Sequence, residues 1–267
     1  MNPISVFIIT KNEEDRIATI ILACKEIADE IIVIDSGSND KTTAIAESCG
    51  AKVIFNEWKG YGLQKIFGEN LCRNNWVLNI DADEEISHEL TQEIKSVFDQ
   101  PIAENIAGFK IKIVNKFRFE KQPKKLAYFY NQLRLYRKDL AGFKDSLVHD
   151  SVVVRDKNNS KILQLKNIIF HQSFRDFKHW IDKINSYSSM QAVDSFEKGR
   201  CPSYFKALFS PSMAFLKAYV IRRYFIYGLD GITYSYLYAF SRFVKIIKTR
   251  EYFRAQELQK KQPSIHN

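Results

Sequence analysis

The chain has 267 residues, 45% hydrophobic and 27% charged, which suits one substantial core with an appendage and excludes disorder throughout. Its formal net charge of +9 is lopsided: residues 1–199 carry 28 Lys+Arg and 28 Asp+Glu, whereas residues 200–267 carry 12 Lys+Arg against only Asp230, Glu251 and Glu257. A neutral body argues against a nucleic-acid binder, whose basic face would have to reach across the fold.

Cys24, Cys49, Cys72 and Cys201 show neither a zinc-type spacing nor a disulfide framework, and read as reduced residues of a cytosolic protein. Met1 leads straight into the apolar stretch Ile4 to Ile9 with no basic region or cleavage site, so the reading is a strand and not a signal peptide. The longest stretch without Asp, Glu, Lys or Arg is the eleven residues Gly231 to Ser241. Crossing a bilayer takes about 18 or more, so no membrane span is expected.

In chain order, Ile4 to Thr10 predicts a strand, and Asn12 with Glu13, Glu14 and Asp15 predicts a capped helix reaching about Glu26. EIIVID, Glu30 to Asp35, predicts a second strand, followed by the turn SGSND and a helix capped by Asp40 and stopped by Gly50. Ala51 to Phe55 is a third strand, Gly60 to Arg73 a loop and helix, and WVLNI, Trp76 to Ile80, a fourth strand. Alternation at this pitch predicts parallel β-α-β units, an α/β fold. From Gly108 the segments GFKIKIVNKFRFE, RLYRKD, SVVVRD and IIFHQS predict antiparallel or mixed strands extending the same sheet. Asp176 to Phe196 is helical in pattern, and the boundary between body and tail falls near Gly199.

Ligands of open α/β sheets bind beyond the carboxyl ends of the strands. Polar residues cluster there: Asp35 ends the second strand, and Asp81-Ala82-Asp83 ends the fourth. Two carboxylates at alternate positions can serve separate partners, a hydroxyl-rich ligand and a divalent cation such as Mg²⁺ or Mn²⁺ on a diphosphate. Taken alone, the pair also fits a solvated acidic turn.

Three segments in order change that weighing. ISVFIITKNEE, IIVIDSGSNDKT and WVLNIDADEE resemble the opening strand, the D-[DS]-G-S-x-D-x-T segment and the D-x-D strand of the family 2 glycosyltransferases, over about residues 4–175. WKGYGLQK, RLYRKD, LVHD and IIFHQS are similar to the lipopolysaccharide-core glucosyltransferase branch of that family. The resemblance implies a GT-A, Rossmann-like nucleotide-sugar-binding domain over residues 1–199 with a mixed central sheet. It implies an inverting enzyme that moves a hexose, glucose from UDP-glucose, onto a lipopolysaccharide inner-core or similar glycolipid acceptor. Thr10, Glu13 and Asp35 would hold the uridine, Asp81 would face the ribose, Asp83 would bind the metal, and Asp150 of LVHD would be the general base. His171 would complete the shell of a divalent Mg²⁺ or Mn²⁺, and Lys65 would contact the diphosphate.

Each has a plainer reading: helix capping for Thr10 and Glu13, a strand-end turn for Asp35, a solvated helix lysine for Lys65, a surface aspartate for Asp150, and a packed core histidine for His171. Ser36 stands where many members have a second Asp, which leaves more of the nucleoside contact to Asp35. His149 is an orienting residue for Asp150 or a packed strand histidine.

Residues 200–267 hold 15 of the 36 aromatics. On a helix through Tyr234 to Arg254, the residues Tyr236, Phe240, Phe243, Val244 and Ile247 share one face, bordered by Arg242, Lys245 and Lys248. This C-terminal amphipathic helical region fits an anionic membrane surface, peripheral to the inner face of the cytoplasmic membrane, or packs on the body. The alternatives in function are a polyprenyl-phosphate glycosyltransferase and a non-catalytic sugar-nucleotide-binding protein.

Overall fold

The computed structural model describes residues 2–117, 120–144 and 151–261. It forms two compact units, Met1–Pro123 with Phe129–Ser173 and Lys124–Tyr128 with Phe174–Asn267. The division falls upstream of the boundary expected near Gly199, since the helix Phe177–Glu197 packs along the long C-terminal helix.

In the first unit, β1 (Ile4–Thr10), β2 (Glu30–Asp35), β3 (Lys52–Phe55) and β4 (Trp76–Asp81) are parallel, linked by α1 (Ile17–Cys24), α2 (Thr42–Ser48) and α3 (Tyr61–Leu71). With β5 (Glu84–Ile86), β6 (Ile106–Asn115), β7 (Phe129–Arg137) and β10 (Lys161–His171) they form one sheet of eight strands in the order β3-β2-β1-β4-β7-β6-β10-β5. The antiparallel steps are β4–β7, β7–β6 and β10–β5. The short strands β8 (Ala141–Phe143) and β9 (Val152–Val154) pair separately. The mixed sheet expected from residue 108 onward is present.

Every residue of β1 is buried, because both faces of the sheet are covered. Ile4, Val6 and Ile8 share a core with α1 and with α4 (His88–Phe98). Phe7 and Ile9 alternate to the opposite face and pack with Ile32, Ile34, Phe67 and Leu71. A strand buried on both sides reads as a nearly continuous apolar run, and the composition of ISVFIIT follows from that.

The start of α1 differs from expectation. Asn12 does not cap α1: it takes φ 56°, its carboxamide oxygen accepts from Asn39 N at 2.8 Å, and its own N–H donates to Ser38 Oγ at 2.9 Å. Tied to the loop after β2, the chain makes a turn and enters the helix only at Ile17. The helix α4 follows a capping Ser87, whose Oγ accepts from Leu90 N at 3.1 Å.

The second unit holds α5 (Phe177–Glu197), α6 (Tyr204–Leu216), a π-helical turn (Lys217–Ile221), a 3₁₀ turn (Tyr224–Tyr227) and α7 (Leu229–Lys261). α7 packs along α5 and α6. Gly231 opens α7 where a Cβ would meet the Tyr224 carbonyl oxygen at 1.8 Å, so only glycine lets the turn come this close. None of the helices among the described residues is both long and apolar enough to cross a membrane.

Gly68 sets how closely α3 lies on the sheet: an added Cβ would stand 2.6 Å from Phe7 Cδ2 and 3.1 Å from Ile34 Cγ1. Gly68→Val should therefore lower stability by about 1–3 kcal/mol, the range for overpacking a core, read as a fall in the urea midpoint at unchanged m.

Candidate active site

The order β2-β1-β4 leaves a crevice at the carboxyl ends of β1 and β4, where the connections diverge to opposite sides. Register places Thr10 beside Asp35 and Ile9 beside Asp81, so the three strand ends carrying the candidate residues are level.

The loop after β2 is built around Asp35. Its Oδ2 accepts from Gly37 N at 2.8 Å and Ser38 N at 2.9 Å, and its Oδ1 accepts from Ser38 Oγ at 2.5 Å. This is the strand-end turn geometry, and the carboxylate is 4% exposed. Thr10 is also buried, and its hydroxyl has no hydrogen-bond partner among the described residues. A buried hydroxyl left so costs free energy unless a ligand pairs it. Glu13 forms an ion pair with Arg16 at 2.5 Å, and Arg16 Nη1 donates to the Gln172 carbonyl at 2.6 Å, which ties the loop after β1 to the end of β10. Ser36 Oγ accepts from Gln64 Nε2 at 3.0 Å, and Gln64 Oε1 accepts from Asn56 Nδ2 at 2.7 Å.

The carboxylates of the D-x-D point apart. Asp81 Oδ1 lies 2.7 Å from Lys65 Nζ, and its Oδ2 accepts from Arg134 Nη2 at 3.0 Å. Arg134 further donates to Glu84 Oε1 at 2.6 Å and to Asn79 Oδ1 at 2.6 Å, while Glu84 Oε2 accepts from Asp81 N at 3.1 Å. Lys65 is wholly buried rather than solvated, with its ammonium also 5.6 Å from the centroid of the Phe143 ring. Burial opposes the Asp81 charge, but Lys65 and Arg134 outweigh it and hold the carboxyl well below the usual range. Burial pushes the Glu84 carboxyl up, against the attraction of Arg134.

Asp83 turns to His171 instead, Oδ2 to Nε2 3.4 Å. β5 pairs Glu84 with His171, and the Asp83 carbonyl accepts from Gln172 N at 2.9 Å, so backbone bonds hold the two residues together. The other ring nitrogen, Nδ1, is 2.6 Å from the Tyr130 hydroxyl and 3.1 Å from Asn115 Oδ1. With Nδ1–H donating to Asn115, Nε2 carries its lone pair on the Asp83 side of the ring, the orientation seen for metal-binding histidines. Ser173 Oγ is 3.0 Å from Nε2. Among the described residues no three His, Cys, Asp or Glu side chains gather around one point. Two ligands with bonds of about 2.1 Å span at most about 4.2 Å, so one carboxylate and one imidazole 3.4 Å apart fit a shared divalent cation whose other positions go to water or diphosphate oxygens.

The structure thus brings Thr10, Asp35, Lys65, Asp81, Asp83 and His171 to the same ends of one sheet, and Glu13 lies on its adjoining loop. Asp150 and His149 lie outside the described residues. Sequence reasoning missed Arg134, Glu84, Tyr130 and Asn115. Arg134 had one signal, a cation set between Leu133 and Leu135. It sits at a β-bulge, since Leu133 pairs with Lys110 and Leu135 with Phe109, adjacent residues of β6.

The family profile described as "Glycosyl transferase family 2" matches residues 5–162. A glycosyltransferase of Rickettsia felis is 44% identical over 256 residues, covering 94% of this chain and 90% of the relative. The lipopolysaccharide core biosynthesis glycosyltransferase LpsC of Rhizobium meliloti is 28% identical over 268 residues, covering 91% of this chain and 92% of that protein. A crystal structure of glucosyl-3-phosphoglycerate synthase from Mycobacterium tuberculosis, in complex with Mn²⁺, uridine-diphosphate and phosphoglyceric acid, aligns over 76% of this chain and 80% of that one, with TM-score 0.45 and 18% identity.

Removing Arg134 leaves the buried Glu84 carboxylate without its cation and Asp81 with Lys65 alone, so Arg134→Met should cost about 3–5 kcal/mol at pH 7. Asp81, with its lowered pKa, contributes stability that is present above its ordinary 3.8 and lost as pH falls below it. Without Arg134 both carboxyls titrate higher than in the wild type, so the variant's deficit should grow as pH rises. Urea unfolding of both proteins at pH 7 and pH 4.5 should show the deficit narrowing at the lower pH.

Proposed function

The chain belongs to glycosyl transferase family 2, and we propose that it transfers a hexose, glucose from UDP-glucose, onto a lipopolysaccharide inner-core sugar or a similar glycolipid with inversion at the anomeric carbon. It is a glycosyltransferase, and its mixed α/β sheet is of the GT-A kind. The observation that carries the donor reading is the divergence of the D-x-D carboxylates. Asp81 is held ionised by two cations, while Asp83 faces His171 at 3.4 Å. The 28% identity to the Rhizobium meliloti lipopolysaccharide core enzyme supports the acceptor class.

In this reading the Thr10 hydroxyl, which has no hydrogen-bond partner among the described residues, and the Asp35 loop receive the uridine, with Glu13 beside them, and Asp81 presents a fixed carboxylate to the ribose. Lys65 stands with its ammonium on Asp81 at the diphosphate end of the crevice, where it offsets that carboxylate's charge. Asp83 and His171 would hold a Mg²⁺ or Mn²⁺ ion, which when bound supplies Lewis acidity to the departing diphosphate. In the transfer an oxygen lone pair of the acceptor hydroxyl forms the new bond to the anomeric carbon. The opposite bond to the diphosphate breaks, its electron pair leaves with UDP, and the hydroxyl proton passes to the Asp150 carboxylate. A glycolipid acceptor sits in a bilayer, which places the protein peripherally at an anionic inner membrane face, in keeping with the basic residues 200–267.

UDP-glucose should raise the melting temperature of the protein with Mn²⁺ present and not after EDTA, since a ligand of the native state stabilises it by mass action. Asp83→Ala should abolish both this metal dependence and transfer. Equal transfer rates before and after EDTA treatment would sink the metal assignment, and a shift with another nucleotide-sugar alone would replace the donor.

Asp150→Asn, nearly isosteric, should keep the UDP-glucose shift and lower turnover by about two to four orders of magnitude, the range for loss of a general base. Single-turnover kinetics at saturating donor checks this, and an unchanged rate would move the base elsewhere.

A further inference from the structure

The helix α6 carries its large apolar side chains outward. Tyr204 is 80% exposed, Phe205 71%, Leu208 71% and Met213 62%, whereas the buried positions of α6 and the following turn are the small Ala214 and Ala218. A helix packed on a protein shows the reverse, with large apolar residues inside. The turn continues the exposed face with Val220 and Ile221 at 57% and 65%. Partly exposed rings link it to α7: Phe215 stacks with Tyr219 at 5.7 Å and meets Tyr236 at 4.7 Å between centroids.

Charge selects the occupant. From Arg200 to Leu229 the chain carries Arg200, Lys206, Lys217, Arg222 and Arg223 and not one Asp or Glu. Lys206, Lys217 and Arg223 are exposed. A second copy docked about a twofold axis would set this cationic face against itself. An apolar stripe bordered by cations alone is complementary to the headgroup layer of an anionic bilayer, where rings and aliphatic chains reach the acyl boundary and cations meet lipid phosphate.

The border expected from the sequence on α7 is half-buried, and its Lys248 is turned to α5. Lys248 Nζ donates to the Asn185 carbonyl, to Asn185 Oδ1 and to Ser189 Oγ, each at 2.7 Å. Arg242 Nη2 donates to the Tyr238 hydroxyl at 3.1 Å. Burial, and then Arg242, lower the Lys245 pKa.

We therefore propose that α6 and the π-helical turn form the face that docks on an anionic membrane, through Phe205, Leu208, Val220 and Ile221 with Lys206, Lys217 and Arg223. This deepens the peripheral-membrane part of the functional reading and is independent of donor chemistry.

The test is flotation of the full chain with phosphatidylcholine vesicles and with vesicles that also contain phosphatidylglycerol. Binding is expected to the anionic vesicles, to weaken as salt rises, and to persist in part. Lys206, Lys217 and Arg223 changed together to Gln should lower partitioning at low salt on the order of 100-fold, about fivefold per cation. Phe205→Ser with Leu208→Ser should remove the part that survives high salt. Arg242, Lys245 and Lys248 changed together to Gln should have the smaller effect. Wild-type protein that ignores anionic vesicles, a larger loss from the α7 changes, or a dimer in sedimentation that the Phe205 and Leu208 changes dissolve while vesicles stay unbound would each overturn the proposal. The UDP-glucose shift, measured on the same variants, reports separately on the donor reading: vesicle binding without that shift would sustain the docking face and defeat the function proposed above.

Discussion

Four charged groups packed against one another, Lys65, Asp81, Arg134 and Glu84, are the constraint on which the site rests. Lys65 and Glu84 are 1% exposed and Arg134 4% at the side chain. Each ion taken out of water costs several kcal/mol unless partners replace its hydration. The four come from α3, the end of β4, β5 and the bulge of β7, so none of these elements can shift without stripping a partner from a buried charge. That converts four separately packed pieces into one frame at the mouth of the crevice. The close seat of α3 at Gly68 belongs to the same frame, because it sets the depth at which Lys65 enters.

This frame explains why two carboxylates one residue apart behave differently. The cations draw Asp81 inward and keep it charged at a place where burial alone would neutralise it. Once Asp81 is fixed and its amide is held by Glu84, the turn through Ala82 points Asp83 the other way, toward β10. β5 then returns antiparallel to β10, and the pairing of Glu84 with His171 is what sets the imidazole beside Asp83. The histidine's orientation comes from β6 and β7, through Asn115 and Tyr130. Burial, and then the Glu84 charge, push the Tyr130 hydroxyl pKa well up, so it stays protonated as a hydrogen-bonding group.

The legible parts of this arrangement are those with local causes. Parallel strands buried on both faces wrote β1, β2 and β4 as apolar runs, and their polar ends marked Asp35, Asp81 and Asp83. Other features depend on partners far along the chain. Nothing near Lys65 in sequence says that it is buried, since its partner Asp81 lies sixteen residues on and Phe143 further still. Arg134 needed the bulge, which exists only in the pairing of β7 with β6. Asn12 looked like a cap by composition, and the loop after β2 claimed it first. Helix α4 is polar over most of its length, HELTQEIKSVF, and is recognisable only once Leu90, Ile94 and Phe98 are seen to fall on one face.

The segment YFKALFSPSMAFL shows a different limit. Its apolar residues are dense enough that periodicity identifies a helix with two apolar sides and cannot say which side meets protein. Only the structure separates them, by putting Ala214 and Ala218 inside and the large side chains out. Small residues allow close approach of two helices, while the large ones supply area that water penalises at about 25 cal/mol per Å². Exposing that area lowers no free energy in solution, and the absence of any carboxylate across residues 200–229 removes the usual means of keeping such a face hydrated on both counts. Apolar area and unbalanced positive charge are both relieved by one environment, the surface of an anionic bilayer, and a glycolipid acceptor resides there as well.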